Sequence, residues 1–333
     1  MIIHRVLYLL ALLVLVACVT NTGNKKYDEE SLPQWVIKPP GDSKDTYFGV
    51  GQARDLNHAK NTALQEISAK ISIFVGGSSE TTSTLRNNTF QEHAQTQVTT
   101  QTQNKELLNY SIEETAQHSG QFYVLASVAK SSLVEGWGLQ LEHLDRTIKA
   151  EVSALDKLPV VQQYIKWQQI LPALTEATSL LLLIKKVDPR FQATSYENRY
   201  LGYNSKAREA SNNLDIHVQS KTDFAPLSRE FTKQLTDKGI KASASRSKQT
   251  NTVIEIKGTE RRSLIYDSYT IQLRLNILVM DSAKRVITTN PINISGGSVI
   301  DYAAARISAA NELGRKIEEN GIFVVLGLTS TIK

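Results

Sequence analysis

The sequence predicts an α+β protein, and three observations carry that reading. Along the 333 residues, stretches with apolar side chains every three or four positions alternate with stretches where they recur every second position. These are the signatures of amphipathic helices and half-buried strands. Two polar belts, near 76–106 and 188–212, interrupt the pattern. The chain therefore divides into an N-terminal βαβββ domain over 32–130, an αα-hairpin over 131–187, a connector over 188–212 and a C-terminal, mostly antiparallel α+β domain over 213–333. Hydrophobic residues at 41% and charged residues at 21% sit near globular averages, which disfavours a wholly disordered chain, a collagen or a multi-span membrane protein. A net charge of +5, with no dense basic stripe, gives no support for a nucleic-acid partner.

In chain order, Thr46–Ala53 reads as a first strand ending in glycines. Asp55 is placed to cap a helix whose face Ala59, Ala63, Ile67 and Ile71 recurs every four residues. At Ile71 the period changes to two through Ile73 and Val75, which predicts a second strand. From Gly76 to Gln103 serine, threonine, asparagine and glutamine dominate, a composition that suits an exposed strand extension, a polar helix or a mobile loop. Leu107–Ile112 and Phe122–Ala129 complete the strands of the first domain.

Leu133, Trp137, Leu141, Leu144, Ile148, Val152 and Leu155 define a long amphipathic helix. Pro159 opens a second one over Val160–Val187, with Pro172 expected to kink it. Beyond the connector, Leu214–Val218 alternates as a strand, and Phe224–Lys238 reads as a helix stopped by Gly239. Strands are expected at Ile240–Ser245, Thr252–Gly258, Tyr269–Asp281 and Val286–Ser295, a helix over Asp301–Asn320 closed by Gly321, and a last strand over Ile322–Leu328.

The first residues carry a different signal. His4 and Arg5 precede an unbroken apolar run from Val6 to Ala17, too short to span a bilayer but fitting for an export signal over residues 1–17. It ends in Leu15-Val16-Ala17-Cys18, which resembles the bacterial lipobox. Cys18 is the only cysteine in the chain, so it forms no internal disulfide. The resemblance implies cleavage between Ala17 and Cys18, with a diacylglycerol on the thiol and a further acyl chain, such as palmitate, on the new amino end. Two or three acyl chains hold a membrane far better than one. A plain secretory signal with an incidental cysteine is the competing reading. Residues 18–31 form a polar tether. Val19 and Thr20 follow the cysteine where, in bacterial lipoproteins, an aspartate retains the protein at the inner membrane; the outer membrane is therefore the expected location.

Chemistry-bearing patterns are sparse. His58, His93, His118, His143 and His217 never pair at metal-binding spacing. Gly49-Val50-Gly51 is followed by Arg54 where a dinucleotide fingerprint needs glycine. Ser127-Val128-Ala129-Lys130, Ser211-Asn212-Asn213 and Lys221-Thr222-Asp223 mimic the order of penicillin-recognising motifs, yet Ser127 lies late in a strand, Asn212 replaces aspartate and Asp223 replaces glycine. Glu113-Glu114 and Glu318-Glu319 are adjacent pairs whose side chains diverge. No catalytic residue, metal site or cofactor is expected beyond the lipid on Cys18.

Trp35, Gly49-Val50-Gly51-Gln52-Ala53, the Ala59/Ala63/Ile67/Ile71 helix, Ile73-Phe74-Val75 and Phe122-Tyr123-Val124-Leu125-Ala126 together resemble the Lpp-twenty-type envelope lipoprotein domain, over about residues 33–130. That domain also occurs at the front of the flagellar H-ring assembly protein T and in flagellar protein P. Trp35, Gly49, Gly51, Ala59 and Ala63 are read as fold residues: glycine permits close approach and the alanines let the helix settle on the sheet. In element order the C-terminal domain resembles the amino-terminal part of TolB, the middle of the flagellar protein and lipoprotein activators of peptidoglycan synthases.

The resemblances imply a non-enzymatic outer-membrane lipoprotein facing the periplasm. It would act as scaffold or adaptor through contacts with envelope proteins, flagellar or secretion components among them, and would self-associate as a homo-oligomer in a ring. A regulator of peptidoglycan synthesis is the alternative, and an envelope hydrolase the next. For contact surfaces the candidates are the polar segment 76–106 and Tyr196, Tyr200 and Tyr203, unless those tyrosines are core.

Overall fold

The computed structural model describes residues 32–76 and 109–329. The signal peptide, Ala17 and Cys18, the tether, and the polar segment after Gly76 lie outside the described residues. Those described fall into two compact units, 32–76 with 109–133, and 134–329.

Among its described residues the first unit is a helical turn and one long helix with a three-stranded sheet. A single helical turn, α1 (Gln34–Ile37), precedes β1 (Thr46–Ala53), α2 (Leu56–Gly76), β2 (Tyr110–His118) and β3 (Gln121–Ala129). β3 is the central strand, antiparallel to both neighbours. β2 and β3 are joined by Ser119-Gly120, both with positive φ, the paired left-handed residues of a type I′ hairpin turn. Asp55 caps α2 as its position implies, accepting from the His58 backbone N–H at 3.0 Å.

The strand expected at Ile73–Val75 is instead the last turn of α2, so among the described residues the unit is βαββ and not βαβββ. Three residues at period two are too few to end a helix whose four-residue apolar repeat runs without a break to Ile71.

The second unit holds two cores. Helix α3 (Lys130–Ser153), α4 (Val160–Val187) and α5 (Thr194–Asn213) enclose one of them, from Leu141 and Ile148 through Trp167, Leu174 and Leu180 to Tyr200 and Ala207. The other lies under a five-stranded sheet built from β4 (Asp215–Ser220), β5 (Lys241–Ser243), β6 (Thr252–Ile265), β7 (Ser268–Asp281) and β8 (Val286–Ser298). One face of that sheet carries α6 (Ala225–Asp237) and α7 (Tyr302–Asn320). α4 serves both cores: Val161, Tyr164 and Ile165 join the sheet core, and Trp167 onward joins the helical one. This explains a helix that is apolar nearly all round. It is continuous through Pro172.

The sheet order is β5-β4-β6-β7-β8. β6, β7 and β8 form the expected antiparallel meander, but β4 runs parallel to both β5 and β6, so the sheet is mixed. The α6 crossover after β4 returns the chain in the same direction, which makes β5 parallel to β4. The expected alternation on β7 holds, with Ile271, Leu273, Leu275, Ile277 and Val279 all buried on the helix face.

Two further expectations change. The connector 188–212 contains α5, because Tyr196, Tyr200, Tyr203, Ala207 and Ala210 form a stripe at helical spacing against α4. The αα-hairpin thus becomes part of a three-helix packing. The last strand, 322–328, is a short helix α8 (Ile322–Val325) followed by a turn. Ile322, Val325 and Leu326 are buried at i, i+3 and i+4, which a strand could not achieve on one face.

Candidate interaction surfaces

The residues singled out in the first domain meet in space. Gly49 and Gly51 sit on the face of β1 that receives α2. A Cβ on Gly49 would lie 2.3 Å from the Ala63 carbonyl oxygen, and one on Gly51 would lie 1.9 Å from that of Ala59. Ala59, Ala63, Ile67 and Ile71 are fully buried in this seat. The four small residues thus set the spacing between helix and sheet, and Trp35 lies half-buried in α1. The same device recurs in the second unit, where it is not legible from glycine spacing. A Cβ on Gly296 of β8 would lie 2.1 Å from the Ala305 carbonyl oxygen and 2.5 Å from the Ala309 nitrogen. The available signal was Ala305-x-x-x-Ala309 following a strand that ends in Gly296-Gly297.

The outer edge of β1 is closed by side chains. The Phe48 N–H donates to Asp42 Oδ1 at 3.0 Å, the Val50 N–H donates to Glu66 Oε2 at 2.6 Å, and Lys70 Nζ donates to the Phe48 carbonyl at 2.7 Å. An edge saturated in this way offers few groups to an added strand. Ser127 lies inside β3, buried, with its hydroxyl donating to Glu113 Oε1 at 2.5 Å.

The three tyrosines belong to the helical core. Tyr200 is buried, Tyr196 and Tyr203 are half-buried against it, and Trp167 faces Tyr203 at 6.2 Å between ring centroids. Beside them Asp145, a buried carboxylate, accepts from Arg199 Nε at 2.9 Å and pairs with Lys149 at 2.7 Å. The Tyr200 hydroxyl lies beside the Asp145 carboxylate but makes no hydrogen bond of ordinary geometry among the described residues. Burial, followed by the negative charge of Asp145, raises its pKa above the usual tyrosine value.

An exposed surface that the sequence reading missed lies at one end of the second sheet. β6 and β7 are paired out to Ile265 opposite Ser268, and Tyr269 lies between Leu264 on one side and Ser298 on the other. By this register the β6–β7 turn and the bend at Val299 and Ile300 that follows β8 lie at the same end of the sheet. Five apolar residues stand in solvent there: Tyr266 is 100% exposed, Val299 80%, Ile300 72%, Leu264 57% and Ile265 52%. The other large exposed apolar residues of the unit, such as Leu139 and Leu201, are dispersed over different elements.

The base of this tip is braced. Arg306 donates from Nε and Nη2 to Glu260 at 2.7 and 3.0 Å, and Arg262 Nε donates to the same carboxylate at 2.5 Å. Arg262 also lies 5.2 Å from the Tyr302 ring, which meets Tyr269 edge-on at 5.0 Å. Burial pushes the Glu260 carboxyl up, but hydrogen bonds and charge from Arg306 and Arg262 outweigh it and hold the group below its usual value. Among the described residues no three histidine, cysteine, aspartate or glutamate side chains gather as a metal set, and no helix is long and apolar enough to cross a membrane.

The glycine–alanine seat, its sheet and its long helix lie in the part of the chain that a family model matches. Residues 33–129 match the LPP20 lipoprotein family. The LPP20 match thus spans α1 to β3, nearly all of the first unit, and leaves the second unit unmatched. Among solved structures, a secreted protein of the human pathogen Helicobacter pylori is similar at 13% identity and a TM-score of 0.44, over 84% of this chain and 99% of that one. A minor lipoprotein from Acinetobacter baumannii is similar at 15% identity and a TM-score of 0.24, over 32% of this chain and 93% of that one. No curated protein matches the chain.

Proposed function

We propose that this chain is a lipid-anchored protein of the bacterial outer membrane, facing the periplasm, that works as a scaffold through protein contacts and carries out no catalysis. One observation carries the reading: a lipobox-like Leu15-Val16-Ala17-Cys18 stands fourteen residues ahead of a folded unit that matches a lipoprotein family. Acyl chains on Cys18 would fix one end, and the tether would let the two units reach envelope partners. The motif residues support a structural role, because Gly49, Gly51, Ala59 and Ala63 are all consumed in seating a helix. Membership of a flagellar or secretion-associated ring, with self-association, is the specific form of this proposal.

The test is metabolic labelling with an alkyne fatty acid beside a Cys18→Ala control, followed by mild-detergent extraction, sizing and mass spectrometry of the native protein. Label lost in the control, release of the control from the membrane and a large assembly with envelope proteins are expected. An unlabelled protein would overturn the anchor, and a monomer without companions would overturn the scaffold.

A further inference from the structure

We propose that the tip formed by Leu264, Ile265, Tyr266, Val299 and Ile300 enters the interfacial layer of a phospholipid bilayer. The inference rests in part on the lipid-anchor reading, and its remaining support is geometric.

Two loops separated by more than thirty residues are brought to the same end of the sheet only by the β6–β7–β8 register, and both present aliphatic or aromatic side chains to water. An apolar cluster on an otherwise polar sheet end marks a surface for an apolar partner. The hairpin suits lipid in particular. Its β6–β7 ladder is closed up to the Ile265–Ser268 pair, so the backbone groups between these two strands enter already paired. Tyr266, at the summit, has the amphipathic ring that favours the bilayer interface. Arg262 and Arg261 stand one and two residue pairs behind Ser263; Arg262 is held by Glu260, and the exposed Arg261 is the cation placed to meet phosphate headgroups. Asp267 beside Tyr266 sets the depth, since a carboxylate at the turn keeps the tip in the headgroup region and out of the hydrocarbon centre.

The chain beyond the described residues supplies the reason that the partner is a bilayer. It runs back from Leu32 to Cys18, fourteen residues that span at most about 50 Å. An acylated Cys18 holds the protein at a membrane, so even a weak second contact is made at high effective concentration. The ion-paired base, Glu260 with Arg262 and Arg306, keeps the tip preorganised for that contact.

The experiment uses the chain from residue 18 onward carrying Cys18→Ser, which has no acyl group, so its outcome is independent of whether Cys18 is lipidated in the cell. It is mixed with vesicles of phosphatidylethanolamine and phosphatidylglycerol and sedimented. The expected result is co-sedimentation that a Leu264→Asp/Tyr266→Asp double variant lowers about tenfold or more, with unchanged circular dichroism. A Tyr266→Trp variant should show a blue-shifted emission with vesicles and quenching by brominated lipid. Absence of sedimentation, or equal sedimentation of the double variant, overturns the proposal. So does a dimer in vesicle-free solution that the double variant dissolves without any lipid quenching, since the tip would then be covered by a second copy.

Discussion

The two units solve one problem with different margins. In each, a helix is laid on an antiparallel ladder by a glycine facing a pair of alanines four residues apart: Gly49 and Gly51 against Ala59 and Ala63, and Gly296 against Ala305 and Ala309. Among the described residues the first unit depends on this contact almost entirely, because α2 is the one long helix on its three strands there. The second unit adds α6, α8 and the first turns of α4 to the same apolar core. A small core with few layers has little to redistribute when one contact fails, whereas a larger one has other contacts to hold it.

That contrast is tested most strongly by filling the seats. Gly51→Ala should destabilise the first unit by about 3 kcal/mol, because the new methyl has backbone and not a flexible side chain in its way. Gly296→Ala should cost the second unit about 2 kcal/mol. Denaturant titrations followed separately for each unit by hydrogen exchange would compare them, and a larger loss at Gly296 would break the comparison.

A smaller effect is expected from the helical core. Asp145→Asn should cost about 2 kcal/mol, since it weakens a buried, charge-assisted contact to Arg199. The loss should appear in α3, α4 and α5 and leave the first unit unchanged.

The pH response sharpens the difference further. Glu260 is held below its usual value in the folded second unit, so its contribution to stability is fully present above the unfolded carboxylate pKa of about 4.3. As the pH falls through the folded value, that contribution is lost. Acid titration of thermal stability should therefore show a drop below about pH 4.3 that Glu260→Gln reduces. The smallest change is expected at Tyr200→Phe, within about 1 kcal/mol of no effect, because it removes a buried hydroxyl that lies beside the Asp145 carboxylate without a hydrogen bond of ordinary geometry. A clear loss of thermal stability there would show that the hydroxyl is satisfied after all.

Where the sequence misled, the cause was local ambiguity resolved by distant contacts. Ile71, Ile73 and Val75 fit a strand as a short pattern, but the helix facing Gly49 and Gly51 carries on through them. Ile322–Leu328 is apolar enough for a strand, yet Gly321 and Gly327, both with positive φ, bracket a helical turn between them. The α5 segment looked like a connector because its average composition is polar. Its stripe from Tyr196 to Ala210 is present in the sequence, and of the two readings open to its tyrosines, contact surface or core, the helical packing gives core.

By itself the sequence determined the α+β class, the amphipathic helices, the β7 alternation, the Asp55 cap and the glycine–alanine seat of the first unit. Each of these is a matter of spacing within one or two neighbouring segments, where side-chain periodicity and backbone preference act directly. The tertiary structure decided what depends on register between distant strands: the parallel placement of β4, the second seat at Gly296, the burial of Tyr200, and the placing of Leu264–Tyr266 at the same end of the sheet as Val299 and Ile300. Period-two alternation says which face a residue occupies. It does not say which strand lies beside it, and that neighbour is set by the packing of the whole sheet.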